Sequence, residues 1–94
     1  MDTLILNERQ VNGLDLPSDF ADLVIEYRAY ARYSQQEVAD GVGVARSTEI
    51  RWERGLVMPS ITNIRNLAGF LNIPEQRLRP FLAYYKRKRQ TVAR

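Results

Sequence analysis

Between Ser34 and Ser60 the chain is punctuated so closely that only short helices fit. Ser34-Gln35-Gln36-Glu37 has the form of a capping box. In that motif the serine side chain takes an orphan N–H of the first turn, and the glutamate bonds back to the serine N–H. The helix it opens places Val38 and Ala39 inward and carries Gly41 in its last turn, where glycine costs about 1 kcal/mol against alanine. Val42-Gly43-Val44 then makes a tight turn, with Gly43 free to take positive φ. A third helix, residues 46–54, is stopped by Gly55 and Pro59, and Ser60 caps a fourth.

The flanks are helical as well, with one ambiguous start. After Pro17, Ser18 is read as a helix cap with Asp19 in the first turn, and Phe20, Leu23, Val24 and Tyr27 recur at helical spacing to about Arg32. Ile61, Ile64, Leu67, Ala68 and Leu71 line the fourth helix. Pro74 opens a fifth, with Leu78, Phe81, Leu82 and Tyr85 on one face. Residues 1–17 read as an arm. Residues 3–6 suit a short strand, and Asn12-Gly13 is a two-residue hairpin turn whose flanks are too irregular to settle the pairing. The expected fold is all-α, a five-helix domain over residues 18–79. The arm precedes it, and the helix end and basic tail of residues 80–94 follow.

Composition narrows the function. The 94 residues include no cysteine and no histidine. That removes disulfides, thiolate nucleophiles, cysteine zinc sites and the usual general base near neutrality. No catalytic constellation replaces them, so we expect no enzyme, no metal and no cofactor. No apolar run approaches the roughly 20 residues that span a bilayer, and no signal peptide is evident, so a cytoplasmic, nucleoid-associated protein is expected. A domain this small buries only about 60–65% of its unfolded surface, which favours a homodimer. The net charge of +3 hides a division. Residues 1–26 hold six acids against one base, a balance of −5; residues 27–94 hold thirteen bases against five acids, a balance of +8. Twelve of the fourteen bases are arginine, which suits bidentate contact with phosphates and guanine edges. The partner this charge points to is nucleic acid first and a membrane surface second.

Two short helices joined by a tight glycine turn make a helix-turn-helix. The exposed face of its second helix can enter a major groove about 12 Å wide. Here that face carries Arg46, Ser47, Ile50 and Arg51, with Arg54 at its end. Arginine can bond guanine O6 and N7 together, serine is a short donor or acceptor, and isoleucine suits a thymine methyl.

Residues 19–78 resemble the Xre/Cro-type helix-turn-helix domain of phage repressors and small bacterial regulators. The matching residues are Arg28, the run from Ser34 to Ala39, Gly43 to Thr48, Trp52 to Gly55, Pro59, and Leu67 to Ile73. The resemblance implies a domain that works as a dimer on a two-fold operator in double-stranded DNA. It implies that Arg46, Ser47 and Arg51 read base edges, that Ser34 and Gln35 hold phosphate at the start of the second helix, and that Arg54 contacts the backbone. It also implies that Arg28 and Glu53 form a buried structural salt bridge, whose disruption costs about 3–5 kcal/mol. Trp52 suits either core packing or base stacking; the family has a large apolar residue there, which favours the core.

Four features depart from the pattern or extend it. Ala45 stands where the family caps its third helix with Ser or Thr, a loss of about 1 kcal/mol. Glu49 stands where the family has an inward apolar residue. Either the helix is rotated so that Ile50 points partly inward, or Glu49 is buried against an arginine, or its carboxylate accepts from a cytosine amino group. The first two are favoured. Leu56-Val57-Met58 is apolar where a polar loop is expected; it packs under the loop or joins Phe81, Tyr84 and Tyr85 in a dimer interface. At the end of the last helix, Lys86, Arg87, Lys88 and Arg89 are placed along phosphates.

The function expected is a sequence-specific regulator of transcription, a dimeric repressor without a cofactor. The rival is the antitoxin of a toxin–antitoxin pair, which would hold DNA with the same domain and a toxin with residues 1–17 and the last helix. A fold retained only for protein binding is a third reading, against which the groove-facing arginines argue.

Overall fold

The computed structural model describes residues 10–11 and 13–92, and the side chains of residues 13–86. Residues 3–6, read as a short strand, and the side chains of Arg87, Lys88 and Arg89 lie outside the described residues. Two short strands, β1 (Gln10–Val11) and β2 (Leu14–Asp15), precede five helices. These are α1 (Ser18–Ala31), α2 (Gln35–Val42), α3 (Arg46–Glu53), α4 (Ile61–Leu71) and α5 (Glu75–Val92).

The strands pair antiparallel, Gln10 opposite Asp15 and Val11 opposite Leu14, around the turn at Gly13, whose φ of 80° requires glycine. The hairpin alters the start of α1. Ser18 is not the cap: it is already helical, Pro17 occupies the cap position, and no side chain caps the end. Asp19 accepts a hydrogen bond from the Asp15 N–H at 2.8 Å, so the first-turn carboxylate ties the helix to the hairpin.

The two remaining serine caps do form. Ser34 Oγ accepts from the Glu37 N–H at 3.0 Å, and Glu37 Oε1 accepts from the Ser34 N–H at 2.7 Å, closing the capping box. Ser60 Oγ accepts from the Asn63 N–H at 3.1 Å. α2 ends in a left-handed residue at Gly43 (φ 84°). Ala45 gives α3 no side-chain cap.

The apolar faces meet in one core. Phe20, Leu23 and Val24 of α1 pack with Val38 of α2, Trp52 of α3 and Ile64 and Leu67 of α4. Each such side chain contributes about 1.5–3 kcal/mol when fully buried. Trp52 is buried among them, which excludes it as a base-stacking platform. α5 closes the core with Leu78 and Phe81, the latter edge-on to Phe20 with ring centroids 5.1 Å apart. Glu26 of α1 and Arg77 of α5 form an exposed ion pair at 3.3 Å, and the Arg77 guanidinium lies over the Tyr27 ring. The core therefore holds α3 by its inner side only.

Candidate nucleic-acid interface

Helix α3 has two chemically distinct sides. Glu49 and Trp52 face the core, and Glu53 is largely covered beside them. Arg46, Ser47 and Arg51 are exposed, Ile50 is half-buried at the edge of the same face, and Arg54 is exposed at the C-cap. Their spacing of one, four and five residues puts the four side chains from Arg46 to Arg51 on one side of the helix.

α3 packs on α2 and α1. The start of α2 offers a second polar surface. Ser34 is exposed, and its hydroxyl is already engaged in the capping box. The first backbone N–H groups of a helix point out of its end, where the dipole favours an anion. The electropositive end of α2 and the arginines of α3 thus belong to one helix-turn-helix unit. Lys86 is exposed on α5, which continues helical through Val92.

A side-chain network fixes this unit to α1. Arg28 donates to Glu53 from Nε at 2.6 Å and from Nη2 at 2.9 Å, and its Nη1 donates to the Tyr33 carbonyl at 3.1 Å. Gln35 Nε2 donates to Glu53 Oε1 at 3.2 Å. Glu53 is therefore the acceptor at which α1, α2 and α3 meet. Burial alone would raise its pKa, but the bonds from Arg28 and Gln35, together with the neighbouring Glu49 carboxyl, outweigh burial and hold the carboxyl below its ordinary value. The bond to Glu53 in turn raises the Arg28 pKa, outweighing the opposite effect of burial.

Glu49 behaves differently. It is 0% exposed and neither carboxyl oxygen has a hydrogen-bond donor. The expected burial is found, but the expected ion pair is not, because all three Arg28 nitrogens are already engaged with Glu53 and Tyr33. The position leaves no route to a cytosine. Ile50 is half-buried, so it does point partly inward, but Glu49 keeps the inward position of α3. Burial, and then the neighbouring Glu53, push the Glu49 pKa up to about 8.

The six apolar residues considered for a dimer interface separate by burial. Leu56 and Val57 are exposed at 64% and 40%. Met58, Tyr84 and Tyr85 are partly buried against the core, and Phe81 lies within it. Tyr85 donates its hydroxyl to the Pro59 carbonyl, tying the loop after α3 to α5. The bond from Gln35 to Glu53 and the proton state of Glu49 had no direct signal in the sequence. The only trace was the acidic residue at an inward helical position.

Comparison with known proteins gives the same architecture. A family profile described as helix-turn-helix matches residues 24–78. The chain is similar to the cryptic phage CTXphi transcriptional repressor RstR of Vibrio cholerae, 31% identical over 55 residues. That match covers 58% of this chain and 50% of the relative, so the chain spans half the length of the curated protein it matches. No solved structure gives a significant match. Among the described residues, no helix is long and apolar enough to cross a membrane.

Proposed function

The chain belongs to the Xre/Cro-like helix-turn-helix family, and we propose that it is a DNA-binding regulator of transcription that sets α3 in the major groove of its operator. The observation that carries this reading is the division of α3. Its inner side is held by Trp52 and by the Arg28–Glu53 pair, while Arg46, Ser47 and Arg51 stand exposed on the outer side. A helix held in this way presents its arginines at low entropic cost, which is what base readout needs.

In this mechanism Arg46 and Arg51 bond guanine edges, Ser47 adapts to a neighbouring base, and Ile50 covers a thymine methyl at the rim. Ser34, Gln35 and Arg54 hold the phosphates on either side, and Lys86, Arg87, Lys88 and Arg89 follow the backbone without reading sequence. Two copies related by a two-fold axis would occupy successive major grooves, with half-sites about one helical turn apart. Occupancy of a promoter then blocks or recruits polymerase. The similarity to a phage repressor supports repression.

The test is a footprint on the DNA upstream of its own gene at two salt concentrations. Protection of two half-sites about one turn apart, weakening with salt, is expected. Uniform protection at both salts, or none, would overturn the reading.

A further inference from the structure

Glu49 is the buried titratable group that the DNA-binding mechanism leaves unused. Its burial is complete and both of its oxygens lack a donor. As a carboxylate it would stand uncompensated in the core beside a second carboxylate, Glu53, an arrangement in which like charges disfavour double ionisation. The groups facing it from every packed element are few. From α1 comes Arg28, engaged with Glu53 and Tyr33; from α3 itself come Glu53 and Arg46. From α2 the uncharged Gln35 reaches Glu53, while Glu37 closes the capping box and Asp40 accepts from Gln36, both exposed. Among the described residues the one further cation is Arg46, which is exposed and makes no hydrogen bond to either Glu49 oxygen.

We propose that Glu49 is a positioning residue: a neutral carboxylic acid that donates its proton to the Glu53 carboxylate, so that one bound proton holds α3 and Gln35 in the DNA-binding arrangement. Glu53 then accepts from α1, α2 and α3 together. When Glu49 ionises, the proton leaves to solvent and the bond to Glu53 is replaced by repulsion between two buried carboxylates. α3 is the element that carries both, so the strain falls on the helix that presents Arg46 and Arg51. DNA affinity is thereby linked to uptake of one proton at Glu49. The elevated pKa of Glu49, near 8, agrees with this and places the transition just above neutrality. The inference rests on the DNA-binding reading for its affinity arm, and on the free protein alone for its proton arm.

The test uses the full chain with two readouts. The first follows the carboxyl carbon of Glu49 by NMR in the DNA-free protein while pH is raised. The second measures affinity, at fixed salt, for a duplex selected from a random library by the wild-type protein. We expect Glu49 to titrate well above the ordinary carboxylate range. We expect wild-type affinity to fall, by as much as roughly tenfold per pH unit once Glu49 ionises, as one linked proton requires. Glu49→Gln keeps a donor toward Glu53 and cannot ionise, so its affinity profile should be flat over the same range. Glu49→Leu, which removes the acid without introducing a polar group, should also be flat, and it covers the case in which the glutamine variant does not fold. A Glu49 titration at an ordinary carboxylate pH overturns the proposal. So do parallel affinity profiles for the wild type and the variants. If the library yields no selected duplex while Glu49 still titrates high, the DNA reading fails and the bound proton stands.

Discussion

The ring of Phe70 occupies the space that a side chain on Gly41 would need. A Cβ at Gly41 would collide with Phe70 Cε1, and the ring is stacked on Tyr33 with centroids 4.7 Å apart. The glycine that weakens α2 is thus what lets α4 approach it. Replacing glycine by alanine in a helix gains about 1 kcal/mol of propensity, whereas overpacking costs about 1–3 kcal/mol. Gly41→Ala should therefore destabilise by about 1 kcal/mol in urea unfolding. In a Phe70→Ala background the same change should stabilise by about 1 kcal/mol, and that reversal of sign in the double-mutant cycle identifies the contact.

Breaking the Arg28–Glu53 pair should cost much more than breaking the surface pair between Glu26 and Arg77. The Glu53 side chain is 5% exposed and the Arg28 side chain 24%. Arg28→Ala would leave Glu53 buried with only Gln35 and Glu49 beside it. We expect a loss of about 3 kcal/mol, the low end for a buried pair because Arg28 is partly solvated. Arg77→Ala lies at an exposed pair and should change stability by less than about 1 kcal/mol. Urea midpoints of the two variants at matched slope make the comparison.

Much of the helical punctuation was legible because it is local. The bonds of Ser34 with Glu37 and of Ser60 with Asn63 span three residues and depend on little else. The same local rule failed at Ser18, because a hairpin of two-residue strands brings Asp15 to Asp19 and moves the cap to Pro17. Strands that short have no hydrophobic period to detect. Within the site, exposure of Arg46, Ser47 and Arg51 follows from helical spacing. The bond from Gln35 to Glu53 joins residues 18 apart in the chain, and only tertiary packing reveals it. Glu49 stood out as an acid at an inward position. Its lack of an arginine partner depended on how Arg28 distributes its donors, which no spacing rule contains.

Glu49 also makes a prediction about stability. Its pKa is raised in the folded protein, from an ordinary 4.5 to about 8. The folded state therefore binds a proton that the unfolded state releases between those values. Its stabilising contribution is complete below about pH 4.5, declines as pH rises, and is gone above about pH 8. Removing the acid removes this decline. The stability difference between Glu49→Gln and wild type should therefore grow in favour of the variant by up to about 1.4 kcal/mol per pH unit across that window, then level off. Denaturant unfolding of both proteins at several pH values measures it. A difference that stays constant with pH would show that Glu49 is ionised in the fold.

Base-reading and phosphate-binding residues should separate by their salt behaviour. Arg46→Ala and Arg51→Ala should each cost about 1–3 kcal/mol on the selected duplex and relax the base preference at one position. Deleting residues 86–94 should leave the preferred sequence unchanged. It should flatten the salt dependence by about 0.9 in log–log slope for each phosphate that the tail had neutralised. Titrations at several salt concentrations distinguish the two classes, and an unchanged slope after the deletion would place the tail away from DNA.

The loop between α3 and α4 sets the last prediction. Leu56 and Val57 are exposed, while the Pro59 carbonyl accepts the Tyr85 hydroxyl and Met58 packs on the core. The loop is thus anchored from beneath with two aliphatic side chains facing water. Two such residues on a fixed support suit the centre of a two-fold contact, in which each copy buries the same patch against the other. Phe81 contributes nothing to that contact, because its ring is packed on Phe20 inside the domain. Leu56→Asp should weaken dimerisation by at least about 100-fold, because a two-fold contact loses one buried leucine from each copy at about 1.5–3 kcal/mol apiece. Its monomer should unfold at the same denaturant midpoint as the wild type diluted to monomer, because an exposed side chain contributes little to the core. Sedimentation equilibrium over a concentration series measures the association, and a dimer of unchanged strength would move the two-fold contact elsewhere on the chain.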